Sequence, residues 1–224
     1  MYKRQLSTLN TGRLTLPAAC VGLMRSCLKI VREWSSTREQ WGCVIGKHQA
    51  IGDKIAKIAA KNFATESIVL FTSSLVDGKK ADIRVESAMC KMWGTEEAWK
   101  VADETMQIRG GRGYETADSL RNRGSDPIPV ERFLRDCRIN MIFEGSSEIM
   151  RLLLAREALD PHLKAAGAVL DSRLPLMVRL KAAIGAGLHY AVWYPKQWLP
   201  TFNSGPVGVT GEVKKYLLYV SRIS

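Results

Sequence analysis

Apolar residues return along most of this chain at intervals of three and four, and those intervals mark helices. From Leu14 to Trp34 they fall at Val21, Met24, Leu28 and Val31, with Leu23, Cys27, Ile30 and Trp34 alongside. This spacing gathers them on one helical face, and Pro17 sits near the start, where a missing N–H is tolerated. A second predicted helix runs from about Gln49 to Val76 through Ile51, Ile55, Ile58, Ile68, Phe71 and Leu75, stopping at Asp77-Gly78. A third runs from Asp82 to about Ile108 through Val85, Met89, Met92, Trp99 and Met106. After a polar stretch from Glu115 to Pro129, a shorter helix covers Val130 to Ile139, and a fourth long one opens at Gly145-Ser-Ser and continues to Leu159. No hairpin signal or period-two run interrupts the pattern. The fold class expected is all-α, an antiparallel four-helix up-and-down bundle over residues 6–157. A basic, amphipathic helical extension over residues 158–224 follows it, with Pro161 to Pro200 as its core.

Composition changes this picture little. A chain of 224 residues, 46% of them hydrophobic, suffices for one sizeable core plus an appendage. The five cysteines, Cys20, Cys27, Cys43, Cys90 and Cys137, are odd in number, scattered and without metal-ligand spacing. They read as reduced, mostly buried thiols of a cytoplasmic protein, with no metal site. The first apolar stretch, Leu14 to Val31, carries Arg25 and Lys29 and does not read as a signal peptide. The opening Met-Tyr-Lys-Arg-Gln is the translation of GTG-TAT-AAG-AGA-CAG, part of a common transposon library adaptor. Residues 1–5 are therefore expected to be foreign, and the last residues, Tyr216 to Ser224, to be a helix cut short.

Charge adds more. The net charge is +11, and from Asp160 onward eight basic residues face three acidic ones, a net of +5. No nucleic-acid-binding motif accompanies this charge; phosphorylated cofactors and an anionic membrane surface suit it better. In the tail, Met177, Leu180, Ile184, Leu188 and Ala191 form an apolar stripe flanked by Arg179, Lys181 and Lys196 and followed by Trp193, Tyr194 and Trp198. Arg179, Lys181 and His189 interrupt it, so it offers no apolar run of about 18 residues to span a bilayer. It fits a helix lying at the inner face of a membrane, or equally an amphipathic helix packed on another part of the protein.

Three segments hold candidate chemistry. Gln107-Ile-Arg-Gly-Gly-Arg-Gly113 places three glycines just past a long helix, where backbone can approach a phosphate or a flat ring. Taken alone, a glycine helix cap is the simpler account. Ile142-Phe-Glu-Gly-Ser-Ser-Glu-Ile-Met-Arg151 sets Glu144 after two apolar residues, expected to shield it, and before a helix start. A carboxylate there suits a general base, and free N–H groups at the helix start suit a polarised carbonyl; helix capping by Ser146 or Ser147 is the plainer alternative. Arg38-Glu-Gln-Trp-Gly-Cys-Val-Ile-Gly-Lys-His-Gln49 carries an arginine able to grip a pyrophosphate and Trp41 able to stack on a heterocycle. Alone, such an arginine is an ordinary turn residue.

In order and spacing, these segments together resemble the C-terminal domain of the acyl-CoA dehydrogenases, from about Leu9-Asn-Thr-Gly-Arg13 to Arg156. The stretch Ala98-Trp-Lys-Val-Ala-Asp-Glu-Thr-Met-Gln107 and the tail look most like the very-long-chain branch. The resemblance implies a helical bundle that also forms dimer and tetramer interfaces, FAD as cofactor, a fatty acyl-CoA as substrate and an electron-transfer flavoprotein as electron acceptor. It implies that Glu144 takes the α-proton while the β-hydrogen leaves as hydride, yielding the trans-2-enoyl-CoA. Gly145 then falls beside the thioester, and Arg13 behind the carboxylate. Arg38, Trp41, Gln49, Gln107, Gly110, Gly111, Ser146 and Glu148 fall at FAD-contacting positions, with Trp41 standing where phenylalanine is usual. Thr116 to Asp126 is an insertion before Pro129-Val-Glu-Arg132. Some branches carry the base on the first helix, beside the arginine; Gly12 occupies that place here. An acyl-CoA oxidase-like enzyme, a nitroalkane-oxidising relative, or a non-catalytic assembly or membrane-docking relative are the alternatives.

Overall fold

The computed structural model describes residues 2–78 and 82–198, with side chains from 11 to 195 within those bounds. The last residues of the tail, and the side chains of Lys196 and Trp198, lie outside the described residues. The chain divides into two compact units, Met1–Arg156 and Glu157–Ser224.

The first unit is all-α, as the periodicity predicts. Its long helices are α1 (Tyr2–Thr37), α2 (Gln49–Asp77) and α3 (Arg84–Arg109). Pro17 of α1 lies opposite Gly94 of α3, and the Arg109 guanidinium lies 4.9 Å over the Trp34 ring, so α1 and α3 run in the same direction. The pairs Lys61–Glu97 and Lys54–Glu104 show α2 running the other way. The core gathers Met24, Cys27 and Val31 of α1, Ile58 of α2 and Ala98 and Val101 of α3. From Thr11 to Thr37, α1 is apolar and long enough to cross a bilayer, and Cys20, Val21, Met24, Cys27 and Val31 of that stretch are buried in the fold.

Several details depart from the expected pattern. Pro17 is deep inside α1 rather than at its start. It stays because it fills the notch at Gly94, where an added Cβ would lie 2.7 Å from the proline Cβ and 3.3 Å from Thr65 Cγ2. On α2 the buried stripe is Ile58, Asn62, Thr65, Val69 and Thr72, whereas Phe71, read as a core position, is 58% exposed and Phe63 74%. On α3 the packed face is built of small residues such as Ser87, Ala88, Gly94 and Ala98, and Met89 is exposed. A central helix flanked on two sides is packed closest by residues that let backbones approach.

Two short features escaped the periodicity. Strands β1 (Glu39–Gln40) and β2 (Cys43–Val44) pair antiparallel across a Trp41-Gly42 turn with φ of 50° and 82°. Both central residues are left-handed, as a tight hairpin of matching twist requires. After α4 (Gly111–Tyr114), the insertion folds as α5 (Ala117–Asn122), whose first turn is capped by the Thr116 hydroxyl accepting from Ser119 N–H at 3.2 Å and which buries Leu120 completely. Arg112 holds Ser125, and Arg123 pairs with Glu115 at 2.6 Å.

α6 (Val130–Arg138) packs on α3, a 3-10 turn covers Ile139–Met141, and α7 (Ser147–Leu170) begins with Met150 buried and Arg151 Nη2 donating to both oxygens of Glu96 at 2.6 and 2.7 Å. α7 passes Leu159 and continues through Pro161, which withholds the N–H that would bond the Glu157 carbonyl.

The second unit is a helical hairpin of the end of α7 and α8 (Leu176–Trp198). His162 Nδ1 and the Tyr190 hydroxyl are 3.0 Å apart with rings stacked 9° from parallel, Trp193 sits edge-on to both, and Arg179 Nε donates to the Val169 carbonyl. These contacts pair α7 and α8 antiparallel.

Candidate functional site

Two sets of predicted residues come together, near opposite ends of α1. The first surrounds Glu144. Chain leaving the 3-10 turn doubles back through Glu144 and Gly145, whose φ angles are 58° and 101°. A left-handed glutamate costs about 1–2 kcal/mol, and the turn that holds it is fixed from two sides. Arg13 Nε on α1 donates to the Glu144 carbonyl at 3.3 Å, and Lys91 Nζ on α3 donates to the Gly145 carbonyl. The φ angle demands glycine at Gly145, and an added Cβ would also meet Met150 Cε at 2.5 Å and push that side chain aside.

The Glu144 side chain reaches back over α1. An added Cβ at Gly12 would lie 3.1 to 3.3 Å from its carboxylate atoms. The rival position therefore does more than lack a carboxylate: its missing side chain is the space the Glu144 carboxylate occupies. Oε2 is buried and accepts no hydrogen bond from the described residues. The expected shield is corrected here, since Ile142 and Phe143 are both largely exposed. Packing against α1 covers Oε2 instead, while Glu144 as a whole is half-buried.

Beyond the turn, burial pushes the Lys91 amine down, Arg13 pushes it further, and Cys20, Glu144 and Glu96 oppose them, leaving it below its ordinary value. Glu148 is exposed, and its carboxyl is held below the usual range by its own backbone N–H and then by the Ser146 hydroxyl. Ser147 Oγ is buried without a hydrogen-bond partner among the described residues, so that hydroxyl does not cap α7.

The second set lines a cleft of about 490 Å³ between the hairpin and the end of α3. Arg38, Trp41, Gly110 and Gly111 meet there with His48 and Arg109. Trp41 is 89% exposed and stands edge-on to His48, ring centroids 5.7 Å apart. Arg109 is buried, its Nε has no hydrogen-bond partner among the described residues, and burial lowers its pKa against the pull of Asp126. Arg112 and Arg123, from the insertion and its approach, line the same wall. Gly110, at φ 60° and ψ −141°, turns the chain out of α3. Gln49 opens α2 and Gln107 closes α3; both are exposed, and neither lines the cleft. Guanidinium groups, open glycine backbone and an exposed indole suit a ligand with both a phosphate and a flat heterocycle.

Sequence reading passed over Lys91, Arg109 and His48. The signal for Lys91 was present: it lies three and seven residues before Gly94 and Ala98, on the apolar face of α3, where a solvated lysine has no place.

Residues 2–159 match the family described as the acyl-CoA dehydrogenase C-terminal domain. The chain is 49% identical to the probable acyl-CoA dehydrogenase FadE10 of Mycobacterium tuberculosis, over 99% of this chain and 34% of the relative. It is 36% identical to the human mitochondrial very long-chain specific acyl-CoA dehydrogenase, over 69% of this chain and 22% of that protein. Butyryl-CoA dehydrogenase from Megasphaera elsdenii superposes with a TM-score of 0.63 at 28% identity, over 70% of this chain and 38% of that one. The chain thus spans about a third of the length of the FadE10 relative.

Proposed function

Because the chain belongs to the acyl-CoA dehydrogenase family, we propose that the protein carrying it oxidises fatty acyl-CoA thioesters between the α and β carbons, with Glu144 as the general base. The observation that carries this reading is the Glu144 turn. A carboxylate is enclosed, unpaired at Oε2 and held on a backbone conformation that glutamate does not favour. Such strain persists where surrounding structure over-determines it, and here two cations do so. Removal of an α-proton needs a carboxylate aimed at carbon and free to take the proton, and an oxygen already occupied by hydrogen bonds serves that task poorly.

The residues of the cleft fit FAD. Arg38 supplies charge-assisted donors for a pyrophosphate, the Arg109 guanidinium lies along the same cleft, and Trp41 supplies a ring face. When bound, FAD supplies the acceptor for the β-hydrogen. Gly145 lies where the thioester is expected, and the N–H groups at the start of α7 can polarise its carbonyl.

An electron-transfer flavoprotein is the acceptor proposed for the reduced enzyme. A homodimer or tetramer is supported by the exposed Phe63, Leu70 and Phe71 on α2. A peripheral contact with the inner, cytoplasmic face of a membrane is supported by the exposed stripe Met177, Leu180, Ile184 and Leu188 of α8. In flotation, the complete enzyme should prefer anionic over neutral vesicles; equal recovery with both removes the membrane contact.

The test of the central reading is Glu144→Gln in the complete enzyme. The variant keeps shape and should keep flavin and acyl-CoA binding. On anaerobic mixing with a saturated acyl-CoA, flavin bleaching should slow by several orders of magnitude, on the order of 10⁴-fold or more. Bleaching within about tenfold of wild type would assign the base to another residue. Peroxide release in place of electron transfer to an acceptor dye would favour the oxidase-like alternative.

A further inference from the structure

Lys91 is the most deeply buried charged side chain among the described residues, with no exposed surface. Among the described residues no carboxylate lies at hydrogen-bond distance from it; its amine donates to the Gly145 carbonyl. We infer that Lys91 is a positioning residue for the base, holding the Gly145 carbonyl so that the turn presents Glu144 and the amides after it in one arrangement. This inference rests on the reading of Glu144 given above.

The geometry follows from peptide planarity. In a trans peptide the C=O and the following N–H point to opposite sides. Arg13 fixes the Glu144 carbonyl and Lys91 fixes the next one. Two consecutive peptide planes are therefore set, and with them the directions of the Gly145 and Ser146 N–H groups. Those groups lie at the start of α7, beside the expected thioester. Neither cation reaches the turn from a flexible loop: Arg13 projects from α1 and Lys91 from α3, two helices locked together at Pro17 and Gly94.

The titratable groups around Lys91 are Arg13 and the neutral thiol of Cys20 from α1, Glu96 from its own helix and Glu144 from the turn. Glu96 is already engaged by Arg151. A lysine serving only the core would be replaced by an apolar side chain of equal length with little loss, since buried charges are seldom net stabilising. A positioning lysine would not.

The test uses the complete flavoenzyme as wild type, Lys91→Met, Lys91→Gln and Glu144→Gln. In Lys91→Met, flavin content and the Kd for acyl-CoA should stay within about threefold of wild type, while flavin reduction at saturating acyl-CoA falls about 30-fold or more. Amide exchange across residues 142–150 should quicken while α1 and α3 stay protected. Lys91→Gln, which keeps a neutral donor, should fall between wild type and Lys91→Met. Rates within about twofold of wild type in both variants, with unchanged exchange, overturn the inference. Joint loss of flavin and helix protection in both variants also overturns it, because the lysine would then serve the fold alone. Glu144→Gln separates the two levels. If it reduces flavin normally, the reading of the base fails; if it is inert while the Lys91 variants are unimpaired, only the role of Lys91 fails.

Discussion

The two ends of α1 treat their functional residues in opposite ways. At Gly12 and Arg13, the glutamate turn is closely packed: one oxygen is shielded, two carbonyls are pinned by cations, and an added methyl at Gly12 or Gly145 would crowd a neighbouring side chain. About 33 Å further along the helix, at Trp34 and Arg38, the cleft is open. Trp41 is almost wholly exposed, and Gly110 and Gly111 have open space where a Cβ would stand. The proposed base, Glu144, is thus held by the chain's own packing, whereas the cleft presents donors and rings on a surface. Substitutions at the first end should act on rate through geometry, and substitutions at the second on how tightly a cofactor is held.

The sharpest way to break this contrast is Gly145→Ala. The new methyl meets Met150 Cε at 2.5 Å on a backbone with φ of 101°. Displacing the turn by a fraction of an ångström should slow flavin reduction by about 100-fold, since misplacement of that order is costly to a positioned base. Flavin content should stay normal. A Gly145→Ala enzyme that bleaches at the wild-type rate would show that the enclosure is not what places the carboxylate.

The converse prediction lies in the cleft. Arg38→Ala removes a charged donor from an exposed site and should weaken flavin retention by about tenfold. Enzyme reconstituted with excess FAD should reduce it at close to the wild-type rate. Equilibrium dialysis of flavin, compared with single-turnover bleaching, separates the two quantities. Loss of rate with retained flavin would erase the distinction between the two ends.

How much of this could be read from residues alone follows the same division. The helices were legible because α1 carries a regular apolar stripe, and Glu144 because it falls inside a local motif. The packed face of α3 was not, since Ser87, Ala88, Gly94 and Ala98 carry no hydrophobic signal, although closeness of approach is what they provide. Large residues such as Phe71 and Met89 misled for the complementary reason: on α2 and α3 they point outward. The hairpin at Trp41-Gly42 stayed hidden because tryptophan is an unusual residue for a left-handed turn. Of the two cations that pin the turn, Arg13 falls inside the resembling segment, whereas the contact of Lys91 could not be read because it lies 54 residues from the carbonyl it holds. The local motif, through its family resemblance, singles out Glu144 as the proposed base; what holds its turn is long-range.

A smaller effect is expected from Gly12→Ala. Its methyl would stand 3.1 Å from Glu144 Oε2, a contact that requires the carboxylate to shift by a few tenths of an ångström. Because the carboxylate is enclosed, the shift should slow flavin reduction by about threefold to tenfold without altering flavin content. A faster enzyme would mean that the carboxylate gains by moving off α1, and that the enclosure at this end is looser than the contact distances show.

The mildest test uses the thiols as reporters of the two ends. Burial pushes Cys20 and Cys27 up to about 11, and Cys90 and Cys137 up to about 12, from an ordinary value of 9.0. Alkylation proceeds through the thiolate, so these four should stay unlabelled by iodoacetamide in the native enzyme near neutral pH. Cys43 is only half-buried, in the hairpin of the cleft, with Sγ 3.6 Å from His48 Nε2. It should label first of the five, and slightly more slowly when flavin is bound. The pH dependence has a definite sign. A thiol raised on folding keeps its proton in the native state where the unfolded chain has lost it, so its contribution to stability is complete below 9.0 and declines as pH rises toward 11 to 12. Labelling of Cys20, Cys27, Cys90 and Cys137 should therefore begin only as alkali opens the core, together with loss of helicity. Early labelling of Cys20, which neighbours Lys91, would show that the enclosed end admits solvent and that the two ends differ less than their packing indicates.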